Sequence, residues 1–344
     1  MPVTKTLSPL ELLQAEAPAA RPVVALSEGT DPRVVAGALA AHQAGIADVI
    51  LIGPQADVTA ALQAEGASAS KGVAVHDPTT SGLTEAFAAE YHSLRKHKGV
   101  DAATARAAAE TPLVYAAMLV RLGHATGTVG GAVHTTGDVV RSAIQVIGMA
   151  PDAGMVSSFF LMYPPEGAPD SARAMLYSDC GLVIDPKPAE MVSIAAASAR
   201  SAQALLQVDP KLAFLSFSTK GSAKHPAVDK VTEALSLFQD AHPDLQADGE
   251  LQFDAAFVPA IGERKSPGSS VAGQANVMIF PNLDAGNIGY KITQRLGGYS
   301  AIGPVLQGLA KPANDLSRGC SAEDVTQIIA VTILQAAGAP GPDI

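Results

Sequence analysis

The stretch RPVVALSEGTDPRVVAGALAAHQAGIADVILIGPQ, residues 21–55, constrains the fold more than any other part of the chain. RPVVALSEG and ADVILIGPQ are short apolar runs bounded by Pro or Gly, and each reads as a buried strand. Between them DPRVVAGALAAHQAGI, 31–46, places its apolar residues at helical spacing, and Asp31-Pro32 suits a helix start. Strand, helix and strand at this spacing make a βαβ unit, so the expected class is α/β. Hydrophobic residues supply 48% of the chain and charged residues 16%, which is ample for large buried cores. Ala, Val, Ile and Leu outweigh the aromatics, as expected of mostly parallel sheets covered by helices on both faces in three α/β/α layers. A length of 344 residues sets an expectation of about two domains.

Residues 1–20 read as a helix leading into the first strand, and 81–123 as a largely helical region. GTVGGAVHTTGDVVRSAIQVIG, 127–148, reads as a Gly-rich turn, a small strand and a helix. Beyond Pro151 the runs MVSSFFLMYP, RAMLYSDCGLVID, KLAFLSFST and FDAAFVPAIG read as strands. The segments AEMVSIAAASARSAQALLQ and HPAVDKVTEALSLFQ read as helices between them. VMIFPNLDAGNIGYKITQRLGG, 277–298, adds a strand, a Gly-rich loop and a helix, and SAEDVTQIIAVTILQAAG is a capped amphipathic helix. No flexible linker marks a domain boundary, so any crossing is short, near 150 and again near 304.

Several chemistries lack support. The net charge of −10 is spread along the chain, whereas a nucleic-acid partner calls for a basic stripe. A few placed arginines can still form a pocket for a small anion. GTVGGAV has the wrong spacing for a dinucleotide turn, and neither a phosphate-binding G-x-x-x-x-G-K-[ST] loop nor a G-x-S-x-G elbow occurs. The eight histidines and two cysteines show no metal-ligand spacing, so no metal is expected. The start lacks a signal-peptide pattern and no apolar run reaches membrane length, which sets cytoplasm, with reduced thiols and no membrane partner, as the expectation.

Two junctions carry candidate chemistry. In VHTTGDVVRSAI, Thr135 or Thr136 can cap the following helix, whose first N–H groups attract anions, and Arg141 can reach the same spot. In KPANDLSRGCSAED, Ser321 and Asp324 resemble a capping box, while Arg318 and Ser317 sit in a Gly-bounded loop able to clamp a phosphate. Taken alone, each pattern is equally that of a plain helix cap. Arg95 in SLRKHKG falls where the helix dipole favours a cation. Asn287, Tyr290 and Lys291 fall in the Gly-rich loop as a further anion contact or a plain turn. Cys320, beside Arg318, is an activated thiolate or a reduced loop cysteine without a role.

Joined together, GAVHTTGDVVR, LSFSTKGSAKHP, VMIFPNLDAGNIGYKITQRL and GPVLQGLAKPANDLSRGCSAEDV resemble the phosphate acetyltransferase and phosphate butyryltransferase family, over nearly the whole chain. The details are most similar to the acetyl-transferring branch. The resemblance implies residues 1–152 with 305–344 as one α/β domain, 153–304 as an inserted second one, an active-site cleft between them, and a homodimer. It implies acetyl transfer between acetyl phosphate and coenzyme A, giving acetyl-CoA and inorganic phosphate, with CoA as a substrate and no cofactor. It carries the role of base for the CoA thiol to Asp324, phosphoryl holding to Arg318, assistance at the carbonyl to Ser317, and CoA and substrate binding to Arg95 and Arg141. An ordinary aspartate, with a pKa of about 3.9, is a poor base for a thiol near 8.5. Either burial raises Asp324, or its main work is to orient the thiol.

Overall fold

The computed structural model describes residues 6–15, 21–169 and 172–338, and the chain divides into two compact units. One is built from two separate stretches, Pro9–Pro151 and the chain beyond Gly308. The other runs from Asp152 to Gly308 and also takes in the short stretch before Pro9.

The discontinuous unit holds strands β1 (Val23–Leu26), β2 (Asp48–Ile52), β3 (Val73–His76), β4 (Gly127–Gly130) and β11 (Ala313–Asp315). All pair in parallel in the order β11-β4-β1-β2-β3. Its helices are α1 (Pro9–Ala15), α2 (Pro32–Gln43), α3 (Gln55–Ala64), α4 (Thr84–Arg95), α5 (Ala102–Ala109), α6 (Pro112–Arg121), α7 (Thr136–Val146) and α13 (Ala322–Gly338). The expected βαβ unit is β1-α2-β2. Asp31 caps α2 by accepting from the Arg33 amide at 2.9 Å, and Pro32 opens the helix where its missing N–H costs nothing. The helix buries Val34, Val35, Ala38 and Ala41, each large aliphatic contributing about 1.5–3 kcal/mol. It packs on α13 at Gly37, where a Cβ would lie 2.6 Å from both the Ala322 carbonyl and Val325 Cβ. Only glycine permits that approach, and it sets the start of α13 beside the start of α2. From β1 the chain runs outward through β2 and β3, then returns to the other side of β1 with β4 and β11. The carboxyl ends of β1 and β4 therefore flank the point where the strand order reverses, the place where open α/β sheets hold ligands.

The second unit holds β5 (Ser157–Tyr163), β6 (Met175–Ser178), β7 (Lys211–Leu215), β8 (Gln246–Leu251), β9 (Val277–Ile279) and β10 (Ser300–Gln307). Their order is β10-β5-β6-β9-β7-β8, antiparallel among the first three and parallel through the rest. Its helices are α8 (Pro188–Leu206), α9 (Pro226–Ala241), α10 (Phe253–Phe257), α11 (Pro259–Lys265) and α12 (Leu283–Arg295).

Two local expectations are corrected. FDAAFVPAIG is not a strand but the two short helices α10 and α11. Phe253 and Phe257 stack one turn apart with centroids at 5.6 Å, Ala255 and Ala256 face the core, and Pro259 opens α11. The Gly-rich loop expected around Asn287 is the body of α12, which is capped earlier, by Asn282 accepting from the Ala285 amide at 3.0 Å. Its glycines serve packing: a Cβ on Gly286 would lie 3.0 Å from Cys180 Sγ. The helix expected over residues 1–20 is observed as α1, with 1–5 and 16–20 outside the described residues. No helix among the described residues is long and apolar enough to cross a membrane.

Candidate active site

Three loops leave the carboxyl ends of β1, β4 and β11 side by side, and their polar residues interlock. Glu28, from the β1 loop, is buried. Its carboxylate accepts from the amides of Ala132, Val133 and His134 at 2.7, 2.9 and 2.8 Å, and pairs with His134 Nδ1 at 2.8 Å. Burial pushes Glu28 up, but His134 and the three amides outweigh it and hold the carboxyl below its ordinary value. Glu28 in turn raises His134. The Gly-rich lead-in to α7 thus gives its amides to an internal carboxylate, and the anion-attracting groups that remain belong to the first turn of α7 itself.

Thr135 is the cap of that helix, its Oγ1 accepting from the Asp138 amide at 3.2 Å. Thr136 is the first helical residue, and its hydroxyl donates inward to Asp315 Oδ2 at 2.6 Å. Arg141 is exposed and pairs with Asp138 at 2.7 Å, so it stands at the same helix start. Asp315 ends β11 with no exposed surface. Burial pushes its carboxyl up to about 6, against the pull of the Thr136 hydroxyl; the negative Glu28 adds to the rise and the Leu316 amide opposes it. Gly131, at φ +107°, lets the β4 loop pass here, since a Cβ would strike the Asp315 carboxylate and lie 2.8 Å from the Leu316 nitrogen.

The third loop carries Ser317, Arg318 and Cys320. It turns tightly, with the Cys320 amide donating to the Ser317 carbonyl at 2.9 Å and the Gly319 amide to Ser317 Oγ at 3.3 Å. Arg33, at the start of α2, ties the three loops together. It forks onto Asp31 at 3.0 and 2.8 Å, and donates to the carbonyls of Arg318 at 2.7 Å, Cys320 at 3.3 Å and Ala132 at 3.0 Å. This leaves the Arg318 side chain exposed and unpaired among the described residues, held by its backbone with the guanidinium outward. The expected capping box is formed: Asp324 Oδ2 accepts from Ser321 N at 2.8 Å and Ser321 Oγ at 2.9 Å, and the Asp324 amide returns to Ser321 Oγ at 3.2 Å. Asp324 is exposed.

Cys320 is 6% exposed, and burial pushes its thiol up, with Arg33 opposing. Of the two readings of this residue, the activated thiolate loses its physical basis. Cys320→Ala is expected to retain turnover within about threefold, because the loop is held through the Cys320 carbonyl rather than its sulfur. Abolished thioester formation in this variant would revive a covalent route.

The structure therefore brings Thr135, Thr136, Arg141, Ser317, Arg318 and Asp324 to the carboxyl-end side of one parallel sheet. Arg95 is not bonded to this group. It ends α4, which is fixed to the far end of α7 by Tyr91 donating to Gln145 at 3.0 Å, and its Nε is buried without a partner among the described residues. Asn287, Tyr290 and Lys291 lie on α12 of the other unit. There Asn287 donates to the Cys180 carbonyl at 3.0 Å, Tyr290 stacks on Phe160 at 3.9 Å, and the Lys291 ammonium lies 5.7 Å from the Tyr290 ring. Glu28, Arg33, His134 and Asp315 are the members that sequence reasoning missed. Their one local signal is charge set directly beside apolar strand ends. No group of three or more His, Cys, Asp or Glu among the described residues is placed to hold a metal ion.

A family profile described as phosphate acetyl/butaryl transferase matches residues 9–333. A phosphate acetyltransferase from Paracoccus denitrificans is 46% identical over 329 residues, 96% of this chain and 99% of that protein. One from Thermoanaerobacterium thermosaccharolyticum is 44% identical over 313 residues, 91% of this chain and 94% of that protein. A solved phosphotransacetylase from Streptococcus pyogenes superposes with a TM-score of 0.89 at 40% identity, covering 96% of this chain and 98% of that one.

Proposed function

Because this chain belongs to the phosphate acetyltransferase and butyryltransferase family, we propose that it moves an acetyl group reversibly between acetyl phosphate and coenzyme A by direct attack in a ternary complex. The observation that carries the reading is the junction of three loops at the strand-order reversal. It sets an unpaired Arg318, Ser317 and the exposed Asp324 on the same carboxyl-end side of the sheet as the start of α7.

A CoA thiol has a pKa near 8.5, so its thiolate is a minor species at pH 7. Asp324, with Oδ2 fixed by Ser321, receives and orients the S–H while the cationic field of Arg318 favours the thiolate. The thiolate attacks the acyl carbon and negative charge gathers on the carbonyl oxygen, which Ser317 meets with a hydroxyl. The C–O bond to phosphate then breaks and a phosphate anion leaves, held by Arg318 and the first turn of α7 at Thr135 and Thr136. Arg141 and Arg95 bind the anionic parts of CoA or substrate. The reaction has no step that needs a cofactor. Purified protein is expected to form acetyl-CoA from acetyl phosphate and CoA with chelator present. Absence of thioester with acetyl, propionyl and butyryl phosphate alike would overturn the reading, and their relative rates give the preferred acyl length.

The working form is a homodimer in the cytoplasm. Ile288, Ile292 and Leu296 form an apolar stripe on α12, 57, 53 and 85% exposed, of a kind that association covers. Both cysteines are unpaired, as suits a reducing compartment. Ile288→Glu with Ile292→Glu is expected to give a monomer by light scattering; an unchanged dimer would place the interface elsewhere.

A further inference from the structure

Asp315 and Thr136 form a hydrogen-bonded pair immediately behind the start of α7, and the pair has two settings. A hydroxyl has a single proton to donate. In the observed arrangement that proton goes inward to Asp315 Oδ2 at 2.6 Å, so Thr136 turns only lone pairs toward the helix start. Lone pairs repel a phosphoryl oxygen. If Asp315 carries a proton, the bond reverses: the carboxylic O–H donates to Thr136 Oγ1, and the Thr136 proton is released to point at an anion.

The surroundings favour the second setting once an anion arrives. Asp315 has no exposed surface and its Oδ1 is buried without a hydrogen-bond partner among the described residues, so its ionised form is poorly satisfied. The charged groups around it offer no direct cation. Glu28 on the β1 loop is anionic and is neutralised by His134 and three amides. Arg33 on α2 is committed to Asp31 and to backbone carbonyls. Asp138 in the first turn of α7 is paired with Arg141, and Arg318 on the β11 loop is exposed and makes no bond to Asp315. Asp315 already sits at about 6, raised by burial, and a second anion nearby raises it further.

We propose that Asp315 is a positioning residue whose proton sets the direction of the Thr136 hydroxyl, so that phosphate or acyl phosphate binding at the start of α7 draws a proton into the protein. This rests on the reading of that helix start as the phosphate site.

The test is calorimetric titration of the intact protein with inorganic phosphate near pH 7.5, in buffers of different ionisation heat, for wild type and Asp315→Asn. Asparagine mimics the protonated acid by donating its N–H to Thr136. The titration of phosphate itself is common to both proteins and cancels in the difference. Wild type is expected to take up close to one proton more than Asp315→Asn. From pH 6.5 to 7.5 its phosphate affinity is expected to fall about tenfold relative to that variant. Equal proton counts, with acetyl phosphate still turned over, overturn the proposal and leave the proposed function standing. A wild type that neither binds phosphate nor forms thioester overturns the function, and the proposal with it. If Asp315→Asn does not fold, a pair that spares the buried carboxyl decides. Thr136→Ser should keep the wild-type pH dependence and Thr136→Val should flatten it; a slope that survives in Thr136→Val overturns the proposal.

Discussion

Arg318→Ala is expected to lower turnover about 10²- to 10³-fold while leaving the fold intact. The charge it supplies is needed only where negative charge grows, on the attacked carbonyl and the departing phosphate. The geometry makes the experiment clean. Arg33 holds the loop through the carbonyls of Arg318 and Cys320, so removing the Arg318 side chain leaves the loop its anchor. An exposed, unpaired side chain contributes little to stability, and the melting transition should move by no more than about 0.5 kcal/mol equivalent. Arg318→Lys keeps the charge but loses the planar fork that matches a phosphate, so its rate should fall between the two. A near-normal rate in the alanine variant, measured as thioester formation, would remove Arg318 from the chemistry.

Asp324 is expected to show the other large effect, and here two substitutions separate two roles. Its Oδ2 accepts from the amide and hydroxyl of Ser321, closing the box that starts α13. Asparagine can keep that acceptor through its amide oxygen, whereas alanine cannot. Asp324→Ala should therefore cost about 1 kcal/mol of stability and Asp324→Asn much less. If the carboxylate handles the thiol proton, both variants should lose about 10²- to 10⁴-fold in turnover despite their different stabilities. If Asp324→Asn works normally while Asp324→Ala fails, the residue acts as a cap alone.

The features legible in the sequence were those that depend on neighbours a few positions away. Asp31-Pro32 marked a helix start, the box of Ser321 and Asp324 is a three-residue relation, and Thr135 caps within one turn. The Gly-bounded loop pointed to Arg318 and Ser317 and the resemblance gave them roles, but that loop shows no local sign of what holds it. What stayed hidden depends on distant pairings. Arg33 meets the Arg318 carbonyl across 285 positions, Glu28 meets the Ala132 amide across 104, and Thr136 meets Asp315 across 179. No periodicity encodes such contacts, because they arise only when β1, β4 and β11 come to lie in one sheet. The misread segments have a different cause. FDAAFVPAIG is short and apolar, and at that length strand and helix patterns coincide until a stacked pair such as Phe253 and Phe257 fixes the period. The glycines before Tyr290 looked like loop punctuation, although Gly286 is there to let α12 approach Cys180.

The sheet that carries Arg318 is finished by β11, and β11 and α13 come after the whole of Asp152–Gly308. During synthesis the inserted unit has all its strands before the ribosome reaches Leu309, and domains tend to fold as they emerge. The earlier half of the discontinuous unit must then wait, with the β4 edge and the groove for α13 uncovered, until the last stretch is made. A nascent chain stalled before Asp315 would hold one complete unit and one open sheet edge, a natural place for a chaperone to bind. The sheet and the loop that carries Ser317 and Arg318 are thus completed together, since β11 and that loop follow one another directly.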